Sequence, residues 1–185
     1  MKKYEKKLPT VLTKEEIKEF FEKIDNFRDS LLFKLIYFTG ARVGEILTLQ
    51  FEDINMKEGF IKLHSEKKRS GQMTQRLIRI PKELNIALKN YLSVIQSQEG
   101  KVFTLTACRV WQLLKKYIER TSIQKKKVTV HTLRHSYATY LLSKTGNLEL
   151  VRDILGHEDI TTTRLYTHLT TGDKGKLIDK AFEDW

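Results

Sequence analysis

The stretch HTLRHSYATYLLSKTGNLELVRDILGHEDITTTRLY, from His131 to Tyr166, contains residue types suited to binding an oxyanion and moving protons. Arg134 offers a guanidinium that stays charged and presents a planar fork to two oxygens. His131 and His157 can take and give protons near neutral pH. Tyr166 carries a phenol with a pKa of about 10, a poor nucleophile unless its surroundings manage the proton. Taken singly, each has an ordinary structural reading: a core histidine, a solvated helix arginine, a packing tyrosine.

The elements that must position these groups are legible in the same stretch. Leu133, Tyr137, Tyr140 and Leu141 fall at 3.6-residue spacing, so a helix begins near His131 with one apolar stripe. His131 and Arg134, three apart, project from neighbouring positions on it. Gly146 ends that helix, and Asn147 caps the next, which carries Leu148, Val151 and Ile154 and stops at Gly156 with His157 at its exit. A Thr161-Thr162-Thr163 run can cap a short helix leading to Tyr166.

Further elements precede them. Thr13-Lys-Glu-Glu16 reads as a capping box opening a helix with an apolar face of Ile17, Phe20, Phe21 and Ile24. After Asp25 and Asn26 a second helix, with Leu31, Leu32, Leu35, Ile36 and Phe38, is apolar over most of its surface and is expected in the core. It stops at Thr39-Gly40, and Arg42 and Glu45 stand three apart at the start of a short helix. They form either an ordinary surface pair or an arrangement in which Glu45 fixes the Arg42 guanidinium.

Between Phe51 and Pro81 the pattern turns strand-like. The segments 60–64 and 76–80 partly alternate, joined by SEKKRSGQMTQ as a hairpin connection with Gly71 near its tip. Pro81 starts a helix with Leu84, Ile86, Ala87, Leu88, Tyr91, Leu92 and Ile95. Another around 108–121 buries Val110, Leu113, Leu114, Tyr117 and Ile118 and exposes Lys115, Lys116 and Arg120. Leu177, Ile178, Ala181, Phe182 and Trp185 make a last amphipathic segment. The expected fold class is mostly α with a small antiparallel β-sheet, α+β.

Lys and Arg total 34 against 23 Asp and Glu, a net charge of +11, which points to a polyanionic partner. The span 115–127 is densest, six basic residues against Glu119, and includes Lys125, Lys126 and Lys127. Charge alone does not separate DNA from RNA or an anionic membrane. One cysteine, Cys108, excludes an internal disulfide framework and fits a reducing, cytoplasmic setting. No apolar run has the length of a membrane span, and MKKYEKKLPT has no signal-peptide core behind it. His131 and His135, at i,i+4, lack the Cys or carboxylate that would complete a zinc set, so no metal is expected and His135 is read as structural.

HTLRHSYAT followed by LGHEDITTTRLYTH resembles the C-terminal signature of the tyrosine recombinases, the phage integrase and Xer family: His-x-x-Arg, Leu-Gly-His, then a tyrosine nine residues on. TGARVGEIL resembles the family's first box, Thr-Gly-x-Arg-x-x-Glu-Leu, with Ile46 in the leucine position. The resemblance covers nearly the whole chain and implies the tyrosine recombinase catalytic-domain fold over 13–185, after a basic lead or linker at 1–12. It also implies that the family's usual N-terminal core-binding domain is absent here, and therefore weak, salt-sensitive DNA binding.

The resemblance implies Arg42, Lys68, His131, Arg134, His157 and the nucleophile Tyr166 as catalytic residues, with Glu45 in support. The hairpin lysine usually stands in a Lys-x-Gly or Lys-Gly context. Here Lys67, Lys68 and Arg69 are adjacent and Gly71 is offset by one, so Lys68 is taken and Lys67 is its alternative. Lys67, Arg69, Lys115, Lys116, Arg120, Lys125, Lys126 and Lys127 are the candidate DNA contacts. The implied activity is site-specific cutting and rejoining of double-stranded DNA through a 3′-phosphotyrosine, without a cofactor. The competing readings are a cleavage-inactive DNA-binding relative and a type IB topoisomerase-like relaxing enzyme. An apolar helix at a terminus is expected by default to dock on its own core; the alternative, implied by the resemblance, is that it packs onto a neighbouring protomer on DNA, as such a helix often does in the family, giving self-association through 173–185.

Overall fold

Capping chemistry explains where the helices begin. In the computed structural model, which describes residues 10–66, 73–123, 127–156 and 173–185, Thr13 and Glu16 exchange hydrogen bonds with each other's backbone N–H at the head of α1 (Lys14–Glu22). Asn26 accepts from the Asp29 N–H and opens α2 (Phe27–Thr39), which Gly40 closes with a φ of 59°. There follow α3 (Val43–Leu47), a 3₁₀ turn (Phe51–Asp53), β1 (Ile54–Asn55), β2 (Phe60–Glu66) and β3 (Met73–Arg79). Helices α4 (Lys82–Leu92), α5 (Ala107–Ile118), α6 (Val130–Thr145), α7 (Leu148–Leu155) and α8 (Asp173–Ala181) complete the described chain.

The sheet is antiparallel in the order β1-β2-β3, with Ile61 opposite Ile78 and Leu63 opposite Arg76. Pairing runs out to Glu66 opposite Met73, so both strands extend further into the basic connection than their apolar residues indicate. β1 is an addition: two residues paired to β2 are too few for an alternation to be read. The α+β expectation matches this architecture.

α2 is the central helix: Leu31, Leu32, Phe33, Leu35, Ile36, Tyr37 and Phe38 are all buried, with α4 and α6 against it. Leu12, just ahead of α1, is buried too and donates its N–H to Ser136 Oγ on α6 at 2.8 Å. At the C-terminal end, the Phe182 ring stacks on Tyr137 at 5.7 Å, and Trp185 packs on Tyr37 and Phe38. Tyr140 Oη donates to the Ala181 carbonyl, so α8 docks on its own chain. Two expectations for α4 need correction. Ile86 faces outward, off the face that buries Leu84, Ala87 and Leu88, and Ile95 lies beyond the helix, which ends at Leu92. No helix among the described residues is long and apolar enough to cross a membrane.

Candidate active site

Three helix ends meet beside the sheet. α2 finishes at Thr39 with Gly40 as its cap, α3 starts at Val43 with Arg42 as its cap, and α7 finishes at Leu155. The carbonyl ends of α2 and α7 attract cations, because the last turn of a helix leaves C=O groups unpaired and carries its partial negative charge. Arg134 answers both. From the buried face of α6 it donates Nη1–H to the Gly40 carbonyl and Nη2–H to the Leu155 carbonyl, the latter at 2.8 Å. Two of its five N–H donors are thereby used, and the other three have no hydrogen-bond partner among the described residues.

Burial, with the charges of Arg42 and Arg76 nearby and Glu45 opposing, lowers the Arg134 pKa to about 10. The group therefore remains charged at neutral pH in a cluster of three guanidiniums around one carboxylate. That balance favours an anion with several oxygens.

Arg42 is the exposed member, its side chain 47% accessible at the N-cap of α3. Glu45, one turn on, is 5% accessible. The expected Arg42–Glu45 ion pair is present, but as the longer of the carboxylate's contacts. The guanidinium stays 3.6 Å from the carboxylate, while the Arg42 backbone N–H donates to Oε2 at 2.6 Å. The carboxylate's principal partner is Arg76 on β3, bidentate at 2.6 and 2.8 Å. Burial pushes the Glu45 carboxyl up, but Arg76, the Ser65 hydroxyl and the Arg42 N–H outweigh it and hold it at about 2.

Arg76 is the residue that motif reading passed over. Its Nε–H reaches the Ile154 carbonyl at 2.9 Å, one residue before the carbonyl that Arg134 takes, so two arginines hold the end of α7. Gly156, at φ 66°, passes so close that a Cβ there would lie 3.3 Å from Arg76 Nη1. The signal was present in the alternation: Arg76 shares the inward register with Ile78 and Ile80.

His131 stands exposed in the first turn of α6, and His135, expected to be structural, is exposed one turn on. Partial burial, helped by the charges of His131 and Arg134, lowers the His135 pKa. Lys115, Lys116, Arg120 and Lys127 are also exposed. Lys115 approaches Glu119 at 3.9 Å, Lys116 lies over the Tyr117 ring at 4.9 Å, and Arg120 pairs with Asp25 at 2.9 Å. Lys67, Lys68, Arg69, Lys125, Lys126, His157 and Tyr166 lie outside the described residues, as do the Thr161–Thr163 run and Gly71.

Geometry and charge define a class: a helical domain that gathers guanidiniums where helix ends converge, suited to a phosphate. Residues 10–172 match the Phage integrase family. The chain is 36% identical to Tyrosine recombinase XerA of Pyrococcus furiosus over 190 aligned positions, covering 97% of this chain and 64% of that protein. It is likewise 36% identical to Tyrosine recombinase XerD of Staphylococcus haemolyticus, covering 91% and 61%. Among solved structures, it superposes on a XerA recombinase with a TM-score of 0.73 at 28% identity, over 89% of this chain and 62% of the other. It superposes on XerH recombinase bound to its difH substrate with a TM-score of 0.67 at 29% identity, over 87% and 51%. The chain belongs to the phage integrase family. It spans less than two thirds of the length of the two curated relatives, 64% and 61%.

Proposed function

We propose that this chain is the catalytic domain of a site-specific DNA recombinase, breaking and rejoining strands by transesterification through Tyr166. The phenol oxygen attacks the scissile phosphorus, a tyrosine O–P bond forms as the P–O5′ bond breaks, and the 3′-phosphotyrosine keeps the bond energy for rejoining. Arg42 and Arg134 stabilise the charge that builds on the non-bridging oxygens. His131 and His157 hydrogen-bond and move protons, and Lys68, or Lys67 in its place, protonates the departing 5′ oxygen. Lys115, Lys116, Arg120 and Lys127, with Lys67, Arg69, Lys125 and Lys126, contact backbone phosphates and hold the duplex without reading its sequence.

The observation that carries this reading is the proximity of Arg42 and Arg134. Arg134 bonds the Gly40 carbonyl two residues from Arg42 and feels its charge, in a cluster with more cations than carboxylates. Supporting a DNA partner, the similar XerH structure is described as bound to difH substrate. Self-association on DNA through 173–185 belongs to the same proposal: a second copy's segment would fill the surface of Tyr37, Phe38 and Tyr140 that α8 and Trp185 cover in cis.

The test is a nicked suicide duplex in EDTA. The wild-type chain is expected to form a covalent adduct and Tyr166→Phe none. No wild-type adduct, with duplex still bound, would identify a cleavage-inactive binding relative. Supercoil relaxation without exchange between paired sites would identify a relaxing enzyme. Sedimentation of DNA-bound protein with and without residues 173–185 tests the self-association.

A further inference from the structure

Resting on the strand-transfer reading, we propose that Arg76 is a positioning residue: it takes the hydrogen-bonding positions of Glu45, so that the Arg42 guanidinium is held only by a longer ion pair and can turn its N–H groups to a substrate phosphate. A buried carboxylate between two arginines pairs with whichever reaches it better, and pairing with Arg42 would neutralise the cation that the phosphate needs.

A carboxylate has about four acceptor positions. On Glu45, Oε1 takes Arg76 Nη1–H at 2.6 Å and the Ser65 hydroxyl. Oε2 takes Arg76 Nη2–H at 2.8 Å and the Arg42 backbone N–H at 2.6 Å. The hydrogen-bonding positions are filled without the Arg42 side chain, whose guanidinium keeps only a 3.6 Å ion pair with Oε1.

Arg76 itself is spent in the same way. Its Nε–H goes to Ile154, its side chain is 7% accessible, and the Arg76–Glu45 pair carries no net charge. It therefore does not serve as a phosphate ligand. Its grip joins α3 through Glu45, β2 through Ser65 and the end of α7 through Ile154, and so fixes the carboxylate one turn beyond Arg42.

The test compares Arg76→Gln with Glu45→Gln/Arg76→Gln in two measurements. In single-turnover cleavage of the suicide duplex, Arg76→Gln is expected to lose about a hundredfold in rate, the scale of one transition-state donor. Its duplex Kd should change by less than about threefold, because the phosphate at Arg42 is one of many backbone contacts that hold the duplex. The double variant is expected to regain about tenfold over Arg76→Gln, since no carboxylate remains to capture Arg42.

The second measurement follows the Arg42 Nε–H resonance during titration with inorganic phosphate. It should respond in the wild type, weaken in Arg76→Gln and return in the double variant. If Arg76→Gln does not fold, Arg76→Lys replaces it, with an expected loss of about tenfold because charge is kept and the fork is lost.

A single variant that cleaves at the wild-type rate, a double variant no better than the single, or a wild-type Arg42 blind to phosphate overturns the proposal. If the wild-type chain makes no Tyr166-dependent adduct, the strand-transfer reading fails, and the phosphate titration still decides the role of Arg76.

Discussion

Two groups of basic residues in this molecule are held in opposite ways. The inner group, Arg134 and Arg76, is buried and bonded to main-chain carbonyls at helix ends and to Glu45, so its geometry is set by the fold. The outer group, Lys115, Lys116 and Arg120 on and just after α5, rests on surface neighbours: Glu119 and the Trp111 ring for Lys115, the Tyr117 ring for Lys116, and Asp25 and the Tyr117 ring for Arg120. Buried charges persist only where hydrogen bonds or opposite charge offset the cost of burial, whereas surface pairs contribute little and are screened by salt. Within the inner group Arg134 is thus suited to aiming charge at one phosphorus, while Arg76, neutralised by Glu45, fixes the frame around it. The outer group is suited to holding a polyanion wherever it lies.

Arg134→Lys is expected to show the contrast most strongly. A lysine keeps the charge but not the fork that spans Gly40 and Leu155, so single-turnover cleavage should fall by about 10²–10³. Duplex affinity should stay near the wild-type value. A large loss of affinity with an unchanged cleavage rate in the bound state would place Arg134 with the outer group.

Acid provides the next test, through Glu45. Its carboxyl is held at about 2 in the fold against an ordinary value of 4.5. The stability it contributes is fully present above about pH 4.5 and is lost as pH falls toward 2, on the order of 3 kcal/mol. Urea unfolding between those limits should give a steep decline for the wild type and a shallower one for Glu45→Gln. Equal slopes would mean that the carboxylate is not what Arg76 stabilises.

The backbone offers a somewhat smaller effect. Gly40 and Gly146 both end helices at positive φ, 59° and 61°. A Cβ on Gly40 would lie 2.8 Å from side-chain atoms of Leu155 and Tyr137, and one on Gly146 meets nothing within 4 Å. Gly146→Ala should therefore cost about 1 kcal/mol for the left-handed conformation alone. Gly40→Ala should cost roughly 2 kcal/mol beyond that for the overpacked junction, read as the difference in denaturation midpoints.

How far such features could be read from the chain depends on whether their cause is local. The capping box at Thr13, the stops at Gly40, Gly146 and Gly156, and the apolar α2 all follow from neighbouring residues. Arg42, His131 and Arg134 were legible as motif members, yet spacing did not reveal that Arg134 is buried across two helix ends while His131 is exposed. The Glu45–Arg76 pair spans 31 residues and three elements, so nothing local signals it. Only the strand register of Arg76 pointed inward, and a charged residue in that register looks like a break in the pattern until its partner is known. Ile86 is the converse case, an apolar residue whose helix face has nothing to bury it.

The smallest effect separates members of the outer group. Lys115→Ala and Lys116→Ala should each weaken duplex binding about equally for any sequence and reduce the slope of log K against log salt by about 1. Arg120→Ala should change that slope less, because its guanidinium is already paired with Asp25 at 2.9 Å and releases no counterion unless that pair opens. Asp25→Asn decides which holds. If the Arg120–Asp25 pair persists on DNA, removing the carboxylate frees Arg120 and steepens the slope. If the pair opens on binding, Asp25→Asn leaves the slope unchanged, Arg120→Ala matches the lysine variants, and Arg120 counts among the phosphate contacts in full.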